Sequence, residues 1–121
     1  MGCPRIIKKV NRMEDKLKQG NLYEFYGELL NEHQKRIYED YVLNDLSLGE
    51  ISENEGITRQ GVHDNVKRTT AILEEYENKL GIVGRFFSIK DDIQKIRELL
   101  SENDIDREEI LKLLDRIYGE L

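Results

Sequence analysis

Cysteine, proline and tryptophan are nearly absent from this chain of 121 residues, which contains one cysteine, one proline and no tryptophan. The single cysteine, Cys3, excludes an intramolecular disulfide and a metal site built on paired cysteines. This usage is typical of a reducing compartment, so we expect a cytoplasmic protein. No apolar run approaches the roughly 18 residues of a membrane span, and no signal-peptide core is present. We therefore expect a soluble protein without a membrane span.

Charged residues are abundant instead, at 36% of the chain, beside 38% hydrophobic residues. Apolar residues recur along the whole chain, which favours a folded, helix-rich protein of single-domain length over a disordered one. The 19 basic and 25 acidic residues leave a net charge of −6. An acidic protein is a poor electrostatic partner for a phosphate backbone, so a nucleic-acid-binding surface would have to be locally positive.

The charge is divided unevenly along the chain. Residues 1–20 carry six basic and two acidic side chains, a net charge of +4, and their weak periodicity predicts a basic, loosely ordered N-terminal arm. Residues 21–81 have a net charge of −7 and the clearest helical periodicity, whereas residues 82–121 have a net charge of −3 and supply further amphipathic helices. No segment alternates like a strand. The predicted fold is all-α, with five or six helices.

Capping signals place the ends of several predicted helices. Three pairs of residues have the spacing of a capping box, in which a polar residue and a glutamate or glutamine three positions later bond each other's backbone: Asn31 with Gln34, Ser47 with Glu50, and Asp106 with Glu109. Gly56 and Gly81 are predicted to end the helices that precede them, because glycine adopts the left-handed conformation easily. Ser88 is predicted to open the next helix.

Residues 46–68 have the pattern of a helix-turn-helix motif. A short helix over about 48–54 begins at Ser47, a turn follows at Gly56 and Ile57, and Thr58 caps a second helix. We expect Ile51, Ile57, Val62 and Val66 to face inward, with the small Ser52 where the two helices cross. The N-terminal part of the second helix enters the major groove in such motifs. Six polar residues then point outward as candidate DNA-binding residues: Arg59, Gln60, His63, Asp64, Lys67 and Arg68.

These side chains suit the edges of bases and the phosphate backbone. Gln60 can pair bidentately with adenine, and Arg59 or Lys67 can reach guanine or phosphate. Asp64 repels phosphate but can accept a hydrogen bond from cytosine N4. Arg68 and the basic arm are expected to hold phosphate. Residues 59–68 have a net charge of +2, so we expect weak, salt-sensitive binding to double-stranded DNA.

Two stretches of this region resemble known bacterial proteins. Residues 30–80, with Gln34-Lys35-Arg36 opening one helix and Leu48-Gly49-Glu50-Ile51-Ser52 the next, resemble region 4 of sigma factors. DLSLGEIS at 45–52 and TRQGVHDNVKRT at 58–69 resemble the YlxM-like family of small helix-turn-helix proteins more closely. This second resemblance covers most of residues 21–100, and residues 1–12 and the tail beyond Leu100 lie outside it.

The resemblance implies a fold and a function. The expected fold is a sigma region 4-like helix-turn-helix, a helical core of the winged-helix-like type without a sheet, followed by C-terminal amphipathic helices. The expected function is that of a DNA-binding regulatory protein encoded beside the signal recognition particle GTPase and linked to that targeting pathway. The alternative is an accessory protein that does not bind DNA and docks on the signal recognition particle GTPase or RNA, since a fold does not determine a function.

Other functions have weaker support. The chain has no phosphate-binding loop, zinc-protease motif or nucleophile elbow, so we expect neither an enzyme nor a cofactor or metal. His63 and Asp64 are adjacent on a helix and are not expected to face each other as a catalytic pair. The tyrosines at 23, 26, 38, 41 and 76 have helical spacing and are expected to pack in the core rather than to stack on bases. Residues 88–121 have more apolar surface than the core needs, which predicts a homodimer built through the C-terminal helices.

Overall fold

The computed structural model describes the backbone of residues 4–121 and the side chains of residues 15–121. Over this range the protein has α-helices and no strand, which confirms the predicted all-α class. The helices are α1 (Pro4–Tyr26), α2 (Glu32–Val42), α3 (Leu48–Glu55), α4 (Arg59–Leu80), α5 (Ile82–Leu100) and α6 (Arg107–Glu120), with a turn of 3-10 helix at Gly27–Leu29. They form two compact units, Met1–Leu80 and Gly81–Leu121. None of the described helices is long and apolar enough to cross a bilayer.

The backbone is helical from Pro4 onward, in the stretch of residues 1–20 where the sequence predicts a basic, loosely ordered arm. Proline suits the first helical position, where its missing N–H would have no partner, and the Lys, Arg, Met, Glu and Leu residues that follow are good helix formers. Leu22 and Tyr26 are buried, so the C-terminal half of α1 belongs to the core of the first unit. The side chains that precede residue 15, Cys3 included, lie outside the described part.

Two capping boxes are confirmed in the first unit. The Asn31 side chain accepts a hydrogen bond from the Gln34 backbone N–H at 2.8 Å, and the Gln34 side chain accepts one from the Asn31 N–H at 3.2 Å. Ser47 and Glu50 exchange the same pair of bonds at 3.1 and 3.2 Å. Helices α2 and α3 therefore begin where the sequence predicts.

The core of the first unit consists of apolar residues with tyrosines at the seams between helices. The buried side chains of this core are Leu22, Tyr26, Leu30, Ile37, Tyr38, Ile51, Val62, Val66, Thr69 and Leu73, and Gly27 is buried beside them in the chain. The Tyr23 and Tyr38 rings lie 5.8 Å apart and the Tyr26 and Tyr76 rings 6.0 Å apart. The Tyr38 hydroxyl is 2.8 Å from the Thr70 hydroxyl, and burial raises the pKa of Tyr38 to about 12. These four tyrosines pack between helices, as the sequence predicts.

Helix α5 begins earlier than the sequence predicts. Gly81 ends α4 with φ at +64°, as expected, but α5 starts at the next residue and Ser88 lies within it. The sequence does not predict this start because Gly81 is the N-cap residue of α5 and has no side chain, so no polar residue marks the beginning of the helix. Apolar residues then continue at helical spacing from Ile82.

An ion pair and a small core join α5 to α6. The Arg116 guanidinium donates two hydrogen bonds to the Asp92 carboxylate, one of them from Nε at 2.9 Å. These bonds hold the pKa of Asp92 below its usual value, and Leu113 of α6 is buried. At the start of α6, Asp106 accepts a hydrogen bond from the Glu109 N–H at 3.1 Å, which is half of the predicted capping box.

Candidate nucleic-acid interface

The turn between α3 and α4 is three residues long. Gly56 ends α3 in the left-handed conformation, with φ at +67° and ψ at +31°, and its N–H donates to the Ser52 carbonyl. The Ile57 N–H donates to the same carbonyl at 3.2 Å. The Thr58 hydroxyl then accepts a hydrogen bond from the Gly61 N–H at 3.0 Å and caps α4. The structure therefore contains the predicted helix-turn-helix motif.

Buried residues hold the two helices together. Ile51 of α3 and Val62 of α4 have no exposed surface, and Val66 is 7% exposed. These three were predicted to face inward, and they do. Ile57 was expected to face inward as well, but it lies in the turn and is 36% exposed. The half-buried Ser52 donates a hydrogen bond from its hydroxyl to the Gly49 carbonyl at 2.8 Å.

The opposite side of α4 is exposed to solvent. All six predicted DNA-binding residues are exposed, and we name them the α4 outer face: Arg59, Gln60, His63, Asp64, Lys67 and Arg68. Residues three and four apart share one side of a helix, so the burial of Val62 and Val66 leaves Gln60, Asp64, Lys67 and Arg68 on the opposite side. Arg59, three residues before Val62, is exposed at the edge of the buried side, where α4 meets α3. The N-terminal half of α4 thus presents an amide, an imidazole, a carboxylate and three cations.

Asp64 contacts two of its neighbours on this face. The Gln60 side-chain amide donates a hydrogen bond to Asp64 Oδ1 at 2.9 Å. His63 Nδ1 lies 3.5 Å from the same oxygen, which corrects the expectation that His63 and Asp64 do not face each other. Both side chains are more than half exposed, so this contact is an open surface pair. The Asp64 carboxylate therefore lies beside donors that can offset its charge.

The cations of the α4 outer face are free of ion pairs within the described part of the chain. No described carboxylate oxygen lies within 4.0 Å of a side-chain nitrogen of Arg59, Lys67 or Arg68. Four other cations of the first unit do form ion pairs: Lys16 with Asp45, Arg36 with Glu55, and Lys35 and Lys79 with nearby glutamates. The positive charge of α4 is therefore available to an anionic ligand.

Side chains from α1 and α2 border the α4 outer face, which the sequence did not predict. Gln19 of α1 and Tyr41 of α2 line a groove with His63 and Lys67. Lys16 Nζ lies 4.9 Å from the centre of the Tyr41 ring. These contacts join residues far apart in the chain, so no local spacing indicates them. Among the described residues, no three His, Cys, Asp or Glu side chains gather as metal ligands would.

Comparison with known proteins identifies relatives over most of the chain. The sequence model of the UPF0122 family, described as "Putative helix-turn-helix protein, YlxM / p13 like", matches residues 13–116. A UPF0122 protein of Thermoanaerobacter sp. (strain X514) is 48% identical over 103 residues, which cover 83% of this chain and 87% of that protein. A UPF0122 protein of Bacillus mycoides (strain KBAB4) is 40% identical over 105 residues, which cover 87% and 96%. One from Halalkalibacterium halodurans is 38% identical over 105 residues, with 87% and 95% covered.

The matched region extends further than the resemblance in the sequence did. It continues past Leu100 to residue 116, so most of α6 belongs to the region shared with the family. The family's description names a helix-turn-helix protein and no enzymatic reaction. The motif at α3 and α4, the all-α architecture and the match over most of the chain agree. The chain belongs to the UPF0122 family of YlxM-like helix-turn-helix proteins.

Proposed function

We propose that this protein is a cytoplasmic regulatory protein that binds double-stranded DNA, with the N-terminal half of α4 in the major groove. The observation that carries this proposal is the α4 outer face, whose six polar side chains are exposed while the inner face of the same helix is buried. Side chains on the N-terminal part of the second helix of such motifs reach the edges of bases. Binding of this kind needs exposed donors, acceptors and cations on a rigid helix, and α4 provides all of them.

Gln60 is well placed to read adenine. Its amide nitrogen uses one N–H in the hydrogen bond to Asp64, which fixes the orientation of the amide plane. The second N–H and the carbonyl oxygen remain for adenine N7 and N6, the pair of contacts that a glutamine makes with this base. Asp64 thus acts as a support for Gln60, in addition to its capacity to accept from cytosine N4.

Arg59, Lys67 and Arg68 supply the attraction to phosphate. Each cation that neutralises a phosphate releases counterions, and the logarithm of the binding constant then falls by about 0.9 per contact for each tenfold rise in salt. Three cations predict a modest slope and weak non-specific binding. The net charge of −6 opposes association at long range, so we expect affinity to depend on low ionic strength.

Fluorescence anisotropy of a labelled random-sequence duplex tests the proposal. The protein is titrated at low and near-physiological salt, with the wild type compared with the double variant Gln60→Ala and Lys67→Ala. We expect salt-dependent binding by the wild type and a loss of about tenfold or more in the variant, since each base or phosphate contact contributes on the order of 1 kcal/mol.

The matched control is the double variant Gln94→Ala and Lys95→Ala, which removes the same two side-chain types from exposed positions of α5. It is expected to bind the duplex as the wild type does. Absence of wild-type binding even at low salt would contradict DNA binding. It would favour the alternative, docking on the signal recognition particle GTPase or RNA, and those would be the next ligands to titrate.

As part of the same proposal, two chains associate through α5 and α6. The α6 helix and the residue that follows it carry an exposed apolar stripe: Leu111 is 59% exposed, Leu114 46%, Tyr118 82% and Leu121 89%. Their spacing of three and four residues is that of helices that associate side by side. A symmetric pair would bring two α4 helices into one complex, as palindromic DNA sites require. Sedimentation equilibrium measures this association directly.

A further inference from the structure

The Arg59 guanidinium lies directly against Gly49 in the first turn of α3. A Cβ atom built on Gly49 would lie 2.9 Å from Arg59 Nη2, 3.1 Å from Nε and 3.2 Å from Cζ. A carbon at these distances overlaps the guanidinium, so the two could not keep their positions. The guanidinium can occupy this position only because residue 49, a glycine, has no side chain.

The overlap involves a side chain and no backbone. The atoms that a Cβ at Gly49 would meet are all in the guanidinium, which can move, whereas the backbone of α4 is not among the nearest contacts. Gly49 also has an ordinary helical conformation, because the positive φ angles at glycine in the described chain belong to Gly56 and Gly81. Alanine at position 49 would thus fit the backbone of α3 and displace Arg59.

Arg59 keeps its donors available in this position. The guanidinium makes no hydrogen bond to another described group, and the residue is exposed at the start of α4. A planar guanidinium presents its N–H groups in a rigid fork that matches phosphate or guanine, so its orientation decides whether two bonds form or one. Contact with α3 at Gly49 limits the rotation of the guanidinium.

We propose that Gly49 is a positioning residue for DNA binding, which acts by holding the Arg59 guanidinium against α3 with its N–H groups directed to the ligand. This inference rests on the proposed function. It predicts that a methyl group at position 49 weakens DNA binding while α3 becomes no less stable, since alanine is a better helix former than glycine. A substitution at a residue that matters only for folding would change DNA affinity and stability in the same direction.

The test is a double-mutant cycle on the full chain with the variants Gly49→Ala, Arg59→Ala and their combination. Each is titrated by anisotropy with a labelled random-sequence duplex at low salt, and its melting temperature is measured by circular dichroism. We expect Gly49→Ala to melt at or above the wild-type temperature and to bind about fivefold more weakly, which corresponds to about 1 kcal/mol of contact energy. In the Arg59→Ala background the same alanine is expected to change affinity by less than about twofold.

Two further variants test a larger side chain at position 49 and the same substitution at a glycine outside the motif. Gly49→Gln fills more space and is also a good helix former, so its loss of affinity is expected to exceed that of Gly49→Ala. Gly119→Ala in α6 is the matched control, since its Cβ would meet no heavy atom within 4 Å, and it is expected to leave affinity unchanged.

The outcomes separate this inference from the function on which it rests. Wild-type affinity in Gly49→Ala and Gly49→Gln would overturn the role of Gly49 and leave DNA binding intact. An undiminished loss in the Arg59→Ala background would show that Gly49 acts through another group, which also overturns it. A wild-type protein that does not bind the duplex at all would overturn both proposals.

Discussion

Gly49 and Gly56 are both in the helix-turn-helix motif, but each is required for a different physical reason. At Gly49 the backbone has a helical conformation open to any residue, and glycine is required because the Arg59 guanidinium occupies the space that a side chain would fill. At Gly56 a Cβ would meet nothing within 4 Å, and the limiting quantity is the backbone angle, with φ at +67°. Substitutions at the two positions should therefore affect different properties, ligand affinity at the first and stability at the second.

Gly56→Ala is expected to destabilise the protein by about 1 kcal/mol. A Cβ raises the energy of the left-handed conformation by roughly 1–2 kcal/mol, and the smaller entropy of the unfolded alanine chain offsets part of this increase. Urea unfolding followed by circular dichroism measures the change. Gly56→Asn is the matched variant, because asparagine tolerates this conformation better, and it should lie between wild type and Gly56→Ala. Equal stability of all three proteins would contradict this account of the turn.

At the scale of the elements, an ion pair fastens α2 to the end of α3. The Arg36 guanidinium donates from Nε at 2.6 Å and from Nη2 at 2.8 Å to the two oxygens of Glu55. His33 Nε2 lies 3.8 Å from the same carboxylate. The Glu55 side chain is only 9% exposed, and the Arg36 bonds hold its pKa below the usual 4.5. The end of α3, and with it the turn into α4, is thus held by a charge-dependent contact.

The free energy of unfolding should therefore decrease at acidic pH, in part because Glu55 becomes protonated. The pKa of Glu55 is lower in the folded protein than in the unfolded chain, so the unfolded chain binds more protons as the pH falls below about 4.5. The stability that the ionised Glu55 contributes above that pH is therefore lost as the pH falls through the pKa of the folded protein. Glu55→Gln is expected to lower the melting temperature at pH 7, with a difference from wild type that shrinks towards about pH 3.

The control for this pH dependence is Glu53→Gln, an exposed carboxylate of the same helix without an ion pair among the described residues. Its melting temperature is expected to follow the wild type at each pH. A Glu55→Gln protein whose deficit is the same at pH 7 and at pH 3 would show that the side chain contributes through packing and not through its charge.

The start and end of several elements could be predicted because their signals are local. Ser47 with Glu50 and Asn31 with Gln34 bond within one turn, and Gly56 needs only its own backbone, so the spacing of residues is sufficient. Most of the α4 outer face could also be placed, since the exposure of Gln60, Asp64 and Lys67 follows from the helical repeat once Val62 and Val66 are inside.

Other features depend on contacts that local patterns do not encode. Helix α1 has weak periodicity, and its burial at Leu22 and Tyr26 arises from packing within the first unit. The start of α5 has no polar cap, so Ser88 gave a wrong boundary. The contact between Gly49 and Arg59 crosses from one helix to the next and depends on a side-chain conformation. Tertiary contacts of this kind outweigh local propensity.

At the scale of the whole molecule, the two units differ in how completely they bury apolar surface. The first unit buries nine hydrophobic residues among those described, including Ile37, Ile51 and Leu73 without any exposed surface. The second unit has a single buried apolar residue among those described, Leu113, and α6 carries its exposed stripe from Leu111 to Leu121. An apolar stripe on the outside of a two-helix unit is typical of a surface that associates with another protein, and we propose a second copy of this chain.

Wild-type protein is therefore expected to sediment at twice 14.3 kDa at concentrations on the order of tens of micromolar. The double variant Leu111→Lys and Tyr118→Lys places two charges in the stripe at positions 59% and 82% exposed, so the fold is kept while the interface becomes charged. It is expected to sediment at 14.3 kDa.

Leu17→Lys with Leu43→Lys is the matched control, since it makes the same change at exposed apolar positions of the first unit, and it should keep the doubled mass. A single species of 14.3 kDa in the wild type would exclude the homodimer. Each chain would then bring one α4 helix to DNA, so the site would be a single half-site without two-fold symmetry. A doubled mass that persists in the stripe variant would instead move the interface away from α6. In that case another surface of the chain would hold the two copies together.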